Sequence, residues 1–234
     1  MRVHFALPLL ATALAGCTML PEGTREPSRQ TSAGPRSTYS SPVVQSLPAP
    51  RNEAVGQCLS RLGQAGADYA ALPDRYVDRG CTTLGTVQLA SLSADRSTLG
   101  VTNLGPVTCE VSQVFAAWAR FGVDRAARQI LGTGVRSIET FGSYSCRNVA
   151  GTDRRSGHAT GAAIDVSGFV LEDGRRITVK NGWYGGSDRE REFLRVVQRS
   201  ACKRFATVLG PDYNSAHHDH LHVEGVIGAS SYCR

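Results

Sequence analysis

The sequence contains no Cys-x-x-Cys pair, no evident internal repeat and no apolar run near the roughly 20 residues of a membrane-spanning helix. The first absence argues against a zinc site built from thiolates. The second leaves one compact domain as the simplest organisation of the folded part. Lysine is nearly missing: of 26 Lys plus Arg, only Lys180 and Lys203 are lysines, and against 20 Asp plus Glu the net charge is +6. Such a charge either serves solubility or draws the chain to anionic peptidoglycan and lipid headgroups; nothing in it resembles a nucleic-acid-binding module, and no nucleic-acid partner is expected. Histidine is scarce as well, six in all, yet five of the six fall in two short segments.

The N-terminus opens with a basic residue, Arg2, followed by an apolar stretch over residues 5–15 and then Leu14-Ala15-Gly16-Cys17. A short basic start, a short apolar run and small residues at its end form a secretory signal, here residues 1–16. The cysteine directly after Leu-Ala-Gly resembles the bacterial lipobox, in which that cysteine becomes the acylated N-terminus. Acylation by several chains at Cys17 would anchor the protein stably to a membrane. In the lipoproteins that this start resembles, a residue other than aspartate after the cysteine, here Thr18, favours the outer membrane, so the resemblance implies its periplasmic face. Residues 17–52 hold the lipidated cysteine and six of the ten prolines with many Ser, Thr and Arg, so a flexible tether is expected there. The other cysteines, Cys58, Cys81, Cys109, Cys146, Cys202 and Cys233, are even in number in an exported chain. They imply three disulfides, among fifteen pairings that the sequence leaves open.

Residues 53–234 are long enough for one domain with a real core. Helical spacing appears over 53–66 (Val55, Cys58, Leu59, Leu62) and over 110–121 (Val111, Val114, Phe115, Trp118), and Asp124 is placed to cap a third helix through Leu131. Strands are expected over 135–141, 162–170, 177–179, 206–209 and 220–226, with Asp173-Gly174 as a hairpin turn. Ser187 caps a further helix ending near Cys202. The expected fold class is α+β: a small, mostly antiparallel sheet with flanking helices.

The chemistry lies in Ser156-Gly157-His158-Ala159-Thr160-Gly161-Ala162-Ala163-Ile164-Asp165 and in His217-His218-Asp219-His220-Leu221-His222-Val223-Glu224. A histidine, an aspartate seven residues on and a distant His-x-His supply two imidazoles and a carboxylate, three ligands for one zinc with a fourth position left for water. His220 and His222 point to one face of a strand, whereas Asp219 points away from them unless a turn over 215–219 delays the strand. No Ser-His-Asp triad is expected, because the histidines able to serve in one belong to the metal site.

Ser-x-His-x-x-Gly-x-Ala-x-Asp with a downstream His-x-His resembles the LAS zinc metallopeptidases, with their D,D-peptidase/hedgehog-like fold. The chain is more closely similar to the extensin-like C-terminal domain family, on Gly142-Ser-Tyr-Ser-Cys-Arg147, His158 through Asp165, Leu209-Gly-Pro-Asp-Tyr213 and His217 through His222. The resemblance implies His158, Asp165 and His222 as ligands of one Zn2+ per chain. It implies Asp219 as the general base, or His220 in its place, since relatives differ in which they use. It further implies Arg147 as the holder of a substrate carboxylate and Ser156 as a residue positioning the loop or the substrate. Tyr144 and Trp183 line the cleft or pack in the core. The expected function is a monomeric periplasmic peptidase cutting peptidoglycan stem peptides or cross-links by metal-activated water. The alternative is a zinc-containing wall-binding or scaffold lipoprotein without catalysis.

Overall fold

The computed structural model describes residues 52–234. The signal segment, Cys17 and the tether up to residue 51 lie outside the described residues. The first helix, α1 (Glu53–Gln64), starts where the Asn52 side chain accepts a hydrogen bond from the Val55 amide at 2.9 Å, and it turns Cys58 and Leu62 inward.

Strands β1 (Asp68–Ala71), β2 (Tyr76–Asp78), β3 (Cys81–Thr82), β4 (Thr86–Ser93), β5 (Thr98–Thr102) and β6 (Val107–Thr108) follow, and then helix α2 (Cys109–Trp118). After β7 (Val135–Gly142), β8 (Ala163–Leu171) and β9 (Arg176–Thr178) come helices α3 (Val179–Gly185) and α4 (Asp188–Ala201), and finally β10 (Thr207–Leu209), β11 (Leu221–Glu224) and β12 (Tyr232–Cys233). Ten of these strands form one sheet in the order β1-β4-β5-β7-β8-β11-β10-β12, with β6 on β4 and β9 on β8, while β2 and β3 pair separately. The class is α+β as expected, but the sheet is large and mixed rather than small. β5–β7 and β10–β12 are parallel pairs. Residues 67–108, which supply six strands, carry little apolar alternation. β4 buries Val87 and Leu89 and then shifts phase to Leu92, and β5 has a single fully buried side chain, Leu99. The period-2 signal is therefore weak exactly because Ser, Thr and Gly fill the other positions.

Helix α2 does not end where a third helix would begin. It runs on through two π-helical stretches, Ala119–Asp124 and Ala127–Leu131, until Gly132 closes it at φ 78°. Asp124 is no cap. It is fully buried, takes a hydrogen bond from the Val135 amide at 2.9 Å and pairs with Arg128 at 2.9 Å, which ties the helix to β7. The strand expected over 177–179 also stops early: the Thr178 hydroxyl accepts from the Asn181 amide and starts α3. Ser187 caps α4 as expected, in a reciprocal box with Glu190.

The core fills the space between the sheet and the helices. Trp118 meets Phe115, Phe169 and Phe205 at ring separations of 5.5, 6.5 and 6.1 Å, and its indole N–H donates to the Val197 carbonyl. Trp183 belongs to this core as well, almost fully buried, with its N–H donated to Asp212 and the Arg195 guanidinium 4.0 Å over its ring. All six expected cysteines are bonded: Cys58–Cys109 joins α1 to α2, Cys81–Cys146 joins β3 to the loop after β7, and Cys202–Cys233 joins the end of α4 to β12. Among the described residues, no helix is long and apolar enough to cross a membrane.

Candidate metal centre

Strand alternation builds the centre. In β8 and β11 the residues Ile164, Val166, Leu221 and Val223 point into the core, so Asp165, His222 and Glu224 point to the opposite face. The two strands are antiparallel, and His222 stands directly across from Asp165. Residues 57 apart in sequence thus become a cross-strand pair. His158 arrives from a 3-10 turn, Gly157–Thr160, just ahead of β8, with the Ser156 hydroxyl accepting from its amide. Gly161 takes φ 65° to close that turn, and a Cβ there would lie 2.9 Å from the Pro106 carbonyl oxygen. Gly157 serves a different purpose, since the Glu224 carboxylate sits where its Cβ would be, 2.4 Å from the Glu224 Cδ.

Three side chains converge here, Asp165 turning one carboxylate oxygen to each histidine. His158 Nε2 lies 3.1 Å from His222 Nδ1 and 3.2 Å from Asp165 Oδ2, and His222 Nδ1 lies 2.9 Å from Asp165 Oδ1. Tetrahedral zinc with bonds of 2.0–2.1 Å separates neighbouring ligand atoms by roughly 3.3 Å, so the triangle has the right size for such an ion. The outer ring nitrogens define the tautomers. His158 Nδ1 donates to the Ser143 carbonyl at 2.8 Å, and His222 Nε2 donates to Glu224 at 2.9 Å. In their neutral forms both imidazoles then turn lone pairs inward, onto a carboxylate, with no donor among the three. These three residues are able to hold a metal ion. Burial pushes the His222 imidazole down, but Asp165 and Glu224 outweigh it and raise the group to about 9. Burial likewise pushes Asp165 up, and its hydrogen bonds with His158 and His222 overcome this and hold it well below the usual carboxylate range.

Beside the triangle, His220 precedes β11 rather than lying in it. The turn needed over 215–219 is present, with a 3-10 segment at Ser215–His217, and the strand starts at Leu221. His220 Nδ1 donates to Asp219 at 2.9 Å, and its Nε2 faces the centre, 3.5 Å from Asp165 Oδ1. The second Asp219 oxygen lies 3.7 Å from His218, an exposed residue outside the cleft. Sequence reasoning left two members without a role. Glu224 orients His222, and its spacing two residues after a strand histidine was the available signal. His217 packs at a tilt against His220, ring centroids 5.1 Å apart, donates through Nδ1 to Asn214, and is pushed down to about 4 by burial and by His220 and His222.

A cleft of about 380 Å³ opens from the centre, bounded by His217, His220 and His222 on one side and by Arg147, Ser156, Tyr213 and Tyr232 around it. Tyr144 is elsewhere, lining a cavity of about 320 Å³ with Leu72 and Pro106. Fold and centre together define an α+β protein with a largely buried His/Asp/His cluster beside an open cleft. The chain matches the family model described as extensin-like protein C-terminus over residues 56–234, and it belongs to that family. No curated protein and no solved structure matches it.

Proposed function

We propose that the protein is a zinc peptidase of the bacterial envelope that hydrolyses peptidoglycan stem peptides or cross-links. The observation that carries this reading is the convergence of His158, Asp165 and His222, whose facing nitrogen and oxygen atoms lie 2.9–3.2 Å apart and could hold one metal ion. Zinc bound there supplies the chemistry of a Lewis acid, polarising a carbonyl and bringing the ionisation of water down to about pH 7. Glu224 and the Ser143 carbonyl hold the two imidazoles in the required tautomer.

His220 does the proton transfer. With Nδ1–H committed to Asp219, its Nε2 is the acceptor facing the centre, and it takes the proton of the attacking water and returns it to the leaving amine. Asp219 orients the imidazole and stabilises its charged form. This division of labour suits the shorter aspartate, which need not reach the reacting atoms itself. The secretory signal, Cys17 and the tether would carry the domain at the periplasmic face of the outer membrane, within reach of the wall.

Elemental analysis of the purified protein, paired with muropeptide release from sacculi with and without chelator, tests the reading. One zinc per chain with chelator-sensitive release is the expected result. Zinc without release from several wall types would favour a wall-binding lipoprotein, and no zinc after reconstitution would remove the centre itself.

A further inference from the structure

A row of rings leads away from the metal centre through the cleft. The His217 ring lies 5.9 Å from that of His222, Tyr213 lies 5.5 Å from His217, and Tyr232 stands perpendicular to Tyr213 at 6.2 Å. All four side chains line the cleft. The fold fixes the two tyrosines at the far end. Tyr213 closes the turn after β10, its amide donating to the Gly210 carbonyl. Tyr232 lies on β12 across from Thr207 of β10, next to Cys233, which is bonded to Cys202. The Arg234 guanidinium, not itself part of the cleft lining, sits 5.1 Å over the Tyr232 ring.

Tyr213 is 40 % and Tyr232 48 % exposed, and neither hydroxyl makes a hydrogen bond among the described residues. Two rings at a right angle form an apolar corner carrying two free hydroxyls, in a cleft whose other walls include Arg147, Arg154 and Asn214. A wholly aliphatic ligand would fill the corner but bury the phenol hydroxyls unpaired, which is costly. A small anion would leave the rings uncovered. A pyranose suits both parts: its C–H faces pack on the rings, and the hydroxyls at its rim exchange hydrogen bonds with the phenols.

The reach is also right. An extended chain of four residues spans roughly 13–14 Å, and the tyrosines stand two and three ring-to-ring steps from His222. A stem peptide whose bond is cut at the centre therefore brings the sugar at its other end to the tyrosines.

We propose that the corner of Tyr213 and Tyr232 binds an amino-sugar pyranose of the glycan that carries the stem peptide. The proposal rests on the peptidase reading and narrows its substrate to peptide still joined to glycan.

The zinc-loaded protein is titrated calorimetrically with a pentapeptide linked to its N-acetylglucosaminyl-N-acetylmuramyl disaccharide, and with the same pentapeptide free of sugar. Hydrolysis of both is followed in parallel. Wild type should bind the linked form about tenfold or more tightly than the free one, the scale of covering one apolar ring face. Y213A and Y232A should each bring the ratio of the two affinities close to one. Y232F, which keeps the ring, should retain most of the preference. Y76A, which removes an exposed tyrosine that does not line the cleft, should retain all of it.

Equal affinity of wild type for the two probes overturns the sugar site and leaves the peptidase standing. A preference that survives in both alanine variants places the sugar elsewhere and overturns it too. A preference that both variants abolish, in a protein that cuts neither probe, supports the sugar site and overturns the peptidase reading. Melting curves accompany each variant. Should an alanine variant prove unstable, the leucine variant at that position, which keeps apolar bulk without ring or hydroxyl, decides.

Discussion

Glu224 is the residue whose role is easiest to isolate, because its hydrogen bond to the centre is the one to His222 Nε2. Replacing it with Gln keeps the shape and removes the charge that holds the tautomer. We expect E224Q to bind zinc about 10- to 100-fold more weakly, the usual loss for an outer carboxylate partner, as measured by competition with a chromophoric chelator. An unchanged affinity would mean that the Glu224 contact is incidental. Asp212 offers a pH test away from the centre. Burial raises it, but Trp183, Arg195 and Tyr184 more than offset this and lower it below its ordinary value. A carboxylate lowered on folding contributes stability that is fully present above its unfolded pKa, about 3.9, and lost as pH falls through the folded value. D212N should therefore melt below wild type at pH 7, and the gap should close as pH is taken down from about 4. A constant gap across that range would rule out the charge as the cause.

At the scale of elements, the crossing of the helical run 109–131 with α4 depends on Gly122. A Cβ there would come within 2.3 Å of Ser200 Oγ and 2.8 Å of Trp118 Cδ1. G122A should cost about 1–3 kcal/mol, the range for overpacking a tight contact, visible as a lower denaturation midpoint with unchanged zinc content. Periodicity made α1, α2 and α4 readable, and Ser187 marked the start of α4, since an N-cap is a local signal. The continuation of α2 past Asp124 was not readable. An aspartate before an apolar run reads as a cap, and only the buried Val135 amide and Arg128 show it serving another purpose. Strand β11 likewise begins one residue after His220, a boundary set by the 3-10 turn at Ser215–His217 and its pairing with β8.

At the scale of the whole molecule, three disulfides close loops of 51, 65 and 31 residues. The chain-entropy model assigns each about 4 kcal/mol through the unfolded state. We expect reduction to lower the melting temperature sharply, and thiol titration of the denatured, unreduced protein to find none of the six cysteines free. The bond between Cys81 and Cys146 also anchors the loop carrying Ser143 and Arg147. C81A/C146A should therefore weaken zinc binding as well as stability, and a loss of stability alone would show that the loop is held by other contacts.

Composition and local pattern were enough to mark six cysteines for pairing, an α+β class, and the two short histidine segments that contain His158, Asp165 and His222. Each of these depends on residue type and short spacing, which are written along the chain. The ten-stranded mixed sheet, the disulfide pairing and the different surroundings of Asp219 and His220 were decided by tertiary structure. So was the placing of Glu224 and His217 beside the cluster. Each of these depends on which strand lies beside which and which face is turned to the core, and those relations exist only once segments distant in sequence have packed.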